Sequence, residues 1–236
     1  MGSMILLFVT IFTITVASIL TLRYIKYRKS NYEVASGNSF FQTVFDTGNY
    51  GEFLTYNYLE KLNGFNMIMT NIYLPKEDGT TTEADLIMIA ETGIYVFESK
   101  NYSGWIFGDE KNKNWTQSFP NKKKYKFLNP IWQNKGHISA LKLATEIEND
   151  EMYKSYIVFS KRCELKKIKI ESSNVKVMKR TNLSRIIKKD IERSNKIMTQ
   201  KEVYKLSRKL EKYTHATETV KKEHIENIKQ KYHTGN

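Results

Sequence analysis

Residues 82–104, TEADLIMIAETGIYVFESKNYSG, decide how the chain folds and carry the acids that packing does not explain. Two apolar runs flank Glu91-Thr92-Gly93, the pattern of two strands joined by a tight turn. Side chains alternate across a strand, so Ile94, Val96, Glu98 and Lys100 share one face, and Tyr95, Phe97 and Ser99 the other. In the first run Asp85 lies with Ile87 and Ile89. With the turn centred between Glu91 and Thr92, Asp85 falls opposite Glu98 and both point the same way, Cβ atoms roughly 5 Å apart. A three-residue turn with Gly93 in a bulge shifts that register by one. Facing carboxylates repel, and such a pair persists when a cation stands between them. A hard divalent ion fits, since Mg²⁺ takes oxygen ligands and commonly uses one or two carboxylates plus substrate phosphates. Lys100, two positions beyond Glu98, is placed to hold an attacking water or to neutralise charge developing at phosphorus. The bland alternative is that Glu98 and Lys100 cap a strand end in solvent, because an E-x-K triplet is short and common.

Other stretches stand in a fixed order around this one: GNYGE at 48–52, EAD at 83–85, GIYVFESKN at 93–101, then Gly104, Trp115, and NPIWQ at 129–133. The ordered set resembles the nuclease-related domain, NERD, of the PD-(D/E)XK nuclease superfamily. The resemblance implies an α/β fold with a restriction-endonuclease-like core, a mixed sheet flanked by helices. It also implies a metal-dependent phosphodiesterase acting on DNA, ahead of RNA. Asp85 and Glu98 would ligate Mg²⁺ (or Mn²⁺), with Lys100 as the catalytic lysine. Glu52 would be the acid from the first helix, and Gln133 the polar residue of the helix that follows. Ala84 stands where the superfamily's name has proline.

The helix-like stretches support this placement. Leu54, Tyr58 and Leu62 recur at helical spacing until Asn63-Gly64 ends the run, with Glu52 in its first turn. An acid there is also favoured by the helix dipole alone. Asn129-Pro130 opens another helix, with Asn as cap and Pro at the first position. Gln133 and His137, four apart, share a face of it; His137 reads as a plain polar residue. Between the hairpin and this helix, residues 109–126 interleave six lysines with Trp115, Phe119 and Tyr125. Lysines bind phosphates and rings stack on bases, so the segment is either a nucleic-acid contact or a solvated loop.

Residues 5–22, ILLFVTIFTITVASILTL, contain no charge and as a helix span roughly 27 Å, close to a bilayer core. Arg23, Lys26, Arg28 and Lys29 follow at once, so a single-pass anchor is expected, with its N-terminus outside and the rest in the cytoplasm. Four segments result: anchor and basic flank, 1–29; juxtamembrane connector, 30–46; nuclease-like core, 47–160; and a basic extension of strand plus helices, 161–236. That extension holds 22 Lys and Arg against 9 Asp and Glu, a net of +13 that equals the charge of the whole chain. Such a balance suits nucleic acid or an anionic leaflet, or simply solvated helix faces. Cys163 is the single cysteine, which excludes an internal disulfide and a cysteine-based zinc site. The alternative to a nuclease is a non-catalytic, membrane-tethered module that holds nucleic acid or a protein partner, and the C-terminal helices could serve as a homo-oligomer surface.

Overall fold

The computed structural model describes residues 1–214 and 216–233, apart from the side chains of residues 218, 228 and 230–233. A long helix, α1 (Gly2–Arg28), leads into two short ones, α2 (Tyr32–Ser36) and α3 (Phe40–Phe45), and then α4 (Thr47–Leu59). Next come β1 (Asn66–Pro75), β2 (Thr81–Ala90), β3 (Gly93–Lys100), β4 (Gly104–Asp109), β5 (Asn114–Ser118) and β6 (Lys124–Leu128). The chain continues through α5 (Pro130–Thr145), β7 (Tyr153–Phe159), β8 (Cys163–Lys169) and β9 (Val175–Lys179) to α6 (Leu183–Arg193), α7 (Gln200–Glu211) and α8 (Glu218–His233).

Two mixed sheets result. The central one has the order β1-β2-β3-β7-β9, antiparallel through β3 and parallel from β3 to β7 to β9; the second has the order β6-β5-β4-β8. The β2–β3 hairpin closes on Ala90 opposite Gly93 and runs to Leu86 opposite Phe97, so the two-residue turn is realised. Gly93 sits at φ 133°, and a Cβ there would meet the Met152 carbonyl oxygen at 2.8 Å, so only glycine fits this corner.

Strand alternation sorts the core into two layers. Leu86, Met88, Tyr95 and Phe97 pack with Phe53, Tyr56 and Leu59 of α4 and Leu183 and Ile187 of α6. Ile87, Ile89, Ile94 and Val96 pack on the other side with Leu141 and Ala144 of α5 and Val203 and Leu210 of α7. The basic C-terminal segment is thus built into the fold: β9 extends the central sheet, α6 and α7 cover opposite faces, and residues 215 and 234–236 lie outside the description. The segment after α1 is packed as well. Tyr27 and Tyr32 are fully buried beside Phe53, and the Tyr27 hydroxyl donates to the Asn38 carbonyl at 2.6 Å. By contrast, residues 5–22 are exposed apart from the half-buried Leu20, and α1 is long and apolar enough to cross a membrane.

Between the sheets, Trp115 is buried and stacked on Phe159 at 6.1 Å and 6°, so it is a core residue and takes no part in stacking on bases. Its indole N–H donates to the Asp109 carbonyl at 3.0 Å. Gly108 makes room for it, since a Cβ at that position would fall 2.2 Å from the indole. Gly108→Ala is therefore expected to lower stability by about 1–3 kcal/mol, the usual cost of overpacking, measured by denaturant unfolding. A variant as stable as the parent would show that Trp115 is free to move.

Candidate active site

The ladder between β2 and β3 stops at Leu86–Phe97, and the next residues on each strand are Asp85 and Glu98. Where the strands part, Asp85 Oδ2 accepts the Ser99 amide at 2.9 Å, replacing a strand–strand hydrogen bond. β3 stays paired with β7 through Glu98–Ile157 and Lys100–Phe159, so the acid and the lysine ride on a rigid strand. Asp85, Glu98 and Lys100 share the face of Ile87, Ile89, Ile94 and Val96, the side covered by α5.

Glu98 is only 2% exposed. Its Oε1 meets the Lys100 ammonium at 2.5 Å, and its Oε2 meets His137 Nε2 at 3.1 Å. The other ring nitrogen of His137 bonds the Thr82 hydroxyl at 2.9 Å. With the Nε2 proton directed at Glu98, that hydroxyl donates to Nδ1. α5 is locked in this rotation by Asn134, whose amide donates to the Val96 carbonyl at 2.9 Å and to the Ser155 hydroxyl at 2.8 Å. Asn129 sets its start, capping Ile131 N while its amide donates to the carbonyls of Asp109, Glu110 and Asn112.

Charge is unevenly compensated here. Burial would raise Glu98, yet the Lys100 ammonium and the His137 bond outweigh it and hold its carboxyl down at about 2. Asp85 goes the other way, to about 7, because burial and the neighbouring Glu98 charge exceed the help from Lys100 and the Ser99 amide. Glu52 on α4 feels the charge of the same acids: burial followed by Asp85, Glu83, Glu98 and Asp46 holds its carboxyl well above the usual range. Lys100 is pushed up despite burial, by Glu98 and then Asp85, so it stays charged throughout the neutral range.

The sign of the pH response follows. Asp85 binds its proton more tightly folded than unfolded, so from about pH 4 to pH 7 its contribution makes stability fall as pH rises. Glu98 acts oppositely: the stability it contributes above about pH 4.5 is lost as pH falls toward 2. Without divalent ions, melting temperature is expected to drop from pH 5 to pH 8, and Asp85→Asn to flatten that slope. A slope unchanged in the variant would disprove the assignment.

The structure thus brings Asp85, Glu98 and Lys100 together, and Glu52 makes no hydrogen bond or ion pair with them among the described residues, its link to them being the influence of their charge. Gln133 is half-buried and its side chain makes no hydrogen bond among the described residues. His137, one turn further along α5, is the residue of this helix in contact with the acids; the shared helical face of the two was its one sequence signal. Among the described residues no group of three or more His, Cys, Asp or Glu is gathered tightly enough to enclose a metal ion. Mg²⁺ does not require such a cage, and its preference for oxygen suits Asp85, Glu98 and Glu52. Each Glu98 oxygen keeps a second lone pair beyond its bond to Lys100 or His137. At the far sheet, Lys122, Lys123, Lys124, Tyr125 and Lys126 are exposed on the β5–β6 hairpin.

Residues 47–160 match the family model of the nuclease-related domain. A Bacillus anthracis protein described as uncharacterized is 38% identical over 141 residues, which is 59% of this chain and 65% of that protein. The match therefore spans just under two-thirds of the relative's length. No solved structure matches the chain.

Proposed function

Because residues 47–160 belong to the nuclease-related domain family, of the PD-(D/E)XK-like nucleases, we propose that this protein is a membrane-anchored, divalent-metal-dependent nuclease cutting phosphodiester bonds of DNA, ahead of RNA. The observation that carries the reading is the meeting of Asp85, Glu98 and Lys100 where β2 and β3 part. Asp85 and Glu52, raised by burial and then by neighbouring carboxylates, mark a place prepared for positive charge. Asp85, Glu98 and Glu52 would hold Mg²⁺ or Mn²⁺, which when bound supplies a water of lowered pKa and positive charge for the phosphate.

The remaining roles belong to the chain itself. Lys100, charged at neutral pH, stabilises the charge that builds on the phosphoryl oxygens and does not serve as a proton acceptor. His137 and Thr82 fix the orientation of Glu98. Among the described residues no hydrogen bond of the Gln133 side chain assigns it a role. The exposed lysines and Tyr125 of the β5–β6 hairpin suit phosphates and a stacked base. α1 is the proposed single-pass anchor, and the basic residues after Leu22 favour a cytoplasmic soluble part.

The test is full-length protein in lipid nanodiscs with plasmid DNA or single-stranded RNA, with Mg²⁺, Mn²⁺ or chelator. Cleavage that requires the ion and disappears in Asp85→Asn is expected; product formed equally in chelator would refute the proposal. A non-catalytic binding module is the second reading, favoured by Glu98 having both oxygens engaged by Lys100 and His137. It predicts salt-sensitive DNA binding that persists in chelator without product.

A further inference from the structure

Arg180 follows β9 and is 4% exposed, yet its Nη2 is buried without a hydrogen-bond partner among the described residues. Its Nε donates to the Thr55 hydroxyl at 3.2 Å, and no Asp or Glu pairs with it among those residues. A buried guanidinium without a counter-charge is costly to retain, and here burial brings its pKa down to about 10. The side chain lines a cleft of about 520 Å³ whose other walls carry Arg23 and Lys26 from α1 and Lys161 and Arg162 after β7, against one carboxylate, Asp46. Gly51 lets α4 pack close to this side chain, since a Cβ there would lie 3.0 Å from Asn101 Cβ and 3.4 Å from Arg180 Nη2. Five cations around one acid, one of them buried and unpaired, define an anion site.

Its position identifies the anion. At 1.5 Å per residue, Arg23 and Lys26 lie within about 6 Å of the end of the apolar run at Leu22, inside a headgroup layer roughly 5–7 Å deep. Beside them α3 is held against α1 by Phe40, whose ring lies 5.2 Å from Tyr24 and 5.6 Å from Tyr27. α3 also presents Phe41 and Phe45, each 69% exposed and stacked at 6.0 Å, as aromatic rings commonly sit at a membrane interface. On α4, the stripe Tyr50, Leu54 and Tyr58 faces the cleft, whereas Glu52 falls on another side of the helix. A nucleic-acid strand at this depth would be repelled by the negative potential of the leaflet; a single headgroup would not.

We propose that this cleft binds the phosphate of an anionic lipid headgroup, so that α1 does more than tether the core: the cleft and the Phe41–Phe45 pair hold it in one orientation on the bilayer. The inference rests on reading α1 as a membrane span. Full-length protein would be floated on neutral phosphatidylcholine vesicles, then reconstituted in nanodiscs with phosphatidylglycerol as the minor lipid, and its retained lipid counted by native mass spectrometry. Flotation on neutral vesicles with about tenfold or greater enrichment of phosphatidylglycerol is expected, that being the scale of one charge-assisted hydrogen bond. Arg180→Gln should abolish the enrichment. Because that change could disturb folding, the surface pair Arg23→Ala with Lys161→Ala, which should reduce it severalfold, provides the second measurement. Failure to float removes the anchor and the inference with it. Flotation with equal retention of both lipids, or enrichment unchanged in the surface pair, overturns the headgroup site alone. Displacement of phosphatidylglycerol by a DNA duplex or by inorganic phosphate would reassign the cleft and equally overturn it.

Discussion

Lys100→Ala is expected to lower the free energy of unfolding by about 3–5 kcal/mol, the cost of removing one partner from a buried ion pair. Glu98, 2% exposed in the parent, would lose the ammonium that now lies 2.5 Å from Oε1 and keep His137 as its bonded side-chain partner among the described residues. Protonation then becomes the cheaper outcome, so the variant should recover part of its stability at acid pH, where the parent loses it. Adding Glu98→Gln should restore much of the loss, because an amide leaves no buried charge to solvate. Urea unfolding of the single and double variants measures both terms. A single variant within about 0.5 kcal/mol of the parent, as for an ordinary surface change, would mean that Glu98 is hydrated and that the ion pair is loose.

Asp85→Asn is expected to reduce cleavage about a thousandfold or more without lowering the melting temperature. The amide oxygen still accepts from Ser99 N, so the end of the hairpin stays closed. What disappears is a carboxylate whose proton affinity is already raised by burial and by Glu98, so stability should hold or rise. Loss of function without loss of stability distinguishes a metal-holding acid from a structural one. A second readout is independent of turnover: Mg²⁺ should raise the melting temperature of the parent above pH 7 and leave Asp85→Asn unmoved. A variant that melts well below the parent would make Asp85 a fold-keeping residue, and the nuclease proposal would lose its central acid.

Much of this site was legible along the chain. The faces of Asp85, Glu98 and Lys100 follow from strand alternation, which is local, whereas the register was open between a two-residue turn and a bulged one until Ala90 was found opposite Gly93. That Glu52 lies on the first core helix was also readable, through Leu54 and Tyr58, but the helix starts at Thr47 and puts Glu52 in its second turn, not its first. The choice between Gln133 and His137 was not, because both lie on one helical face and only the rotation of α5, set by Asn134 against β3, selects between them. The core position of Trp115 is hidden from the sequence for the same reason: its burial depends on Phe159, which is far off along the chain.

The sequence by itself determined the apolar helix at the start, the hairpin and the strand face on which each of its charged residues lies, since each depends on neighbours a few residues away; between the two registers it allowed, the structure took the two-residue turn. Only the tertiary structure decided which helix residue supports Glu98, that the segment after α1 is packed against the core, and that Arg180 ends buried and unpaired beside the basic end of α1. Those outcomes depend on elements distant in the chain crossing at particular angles, and residue spacing carries no information about a crossing angle.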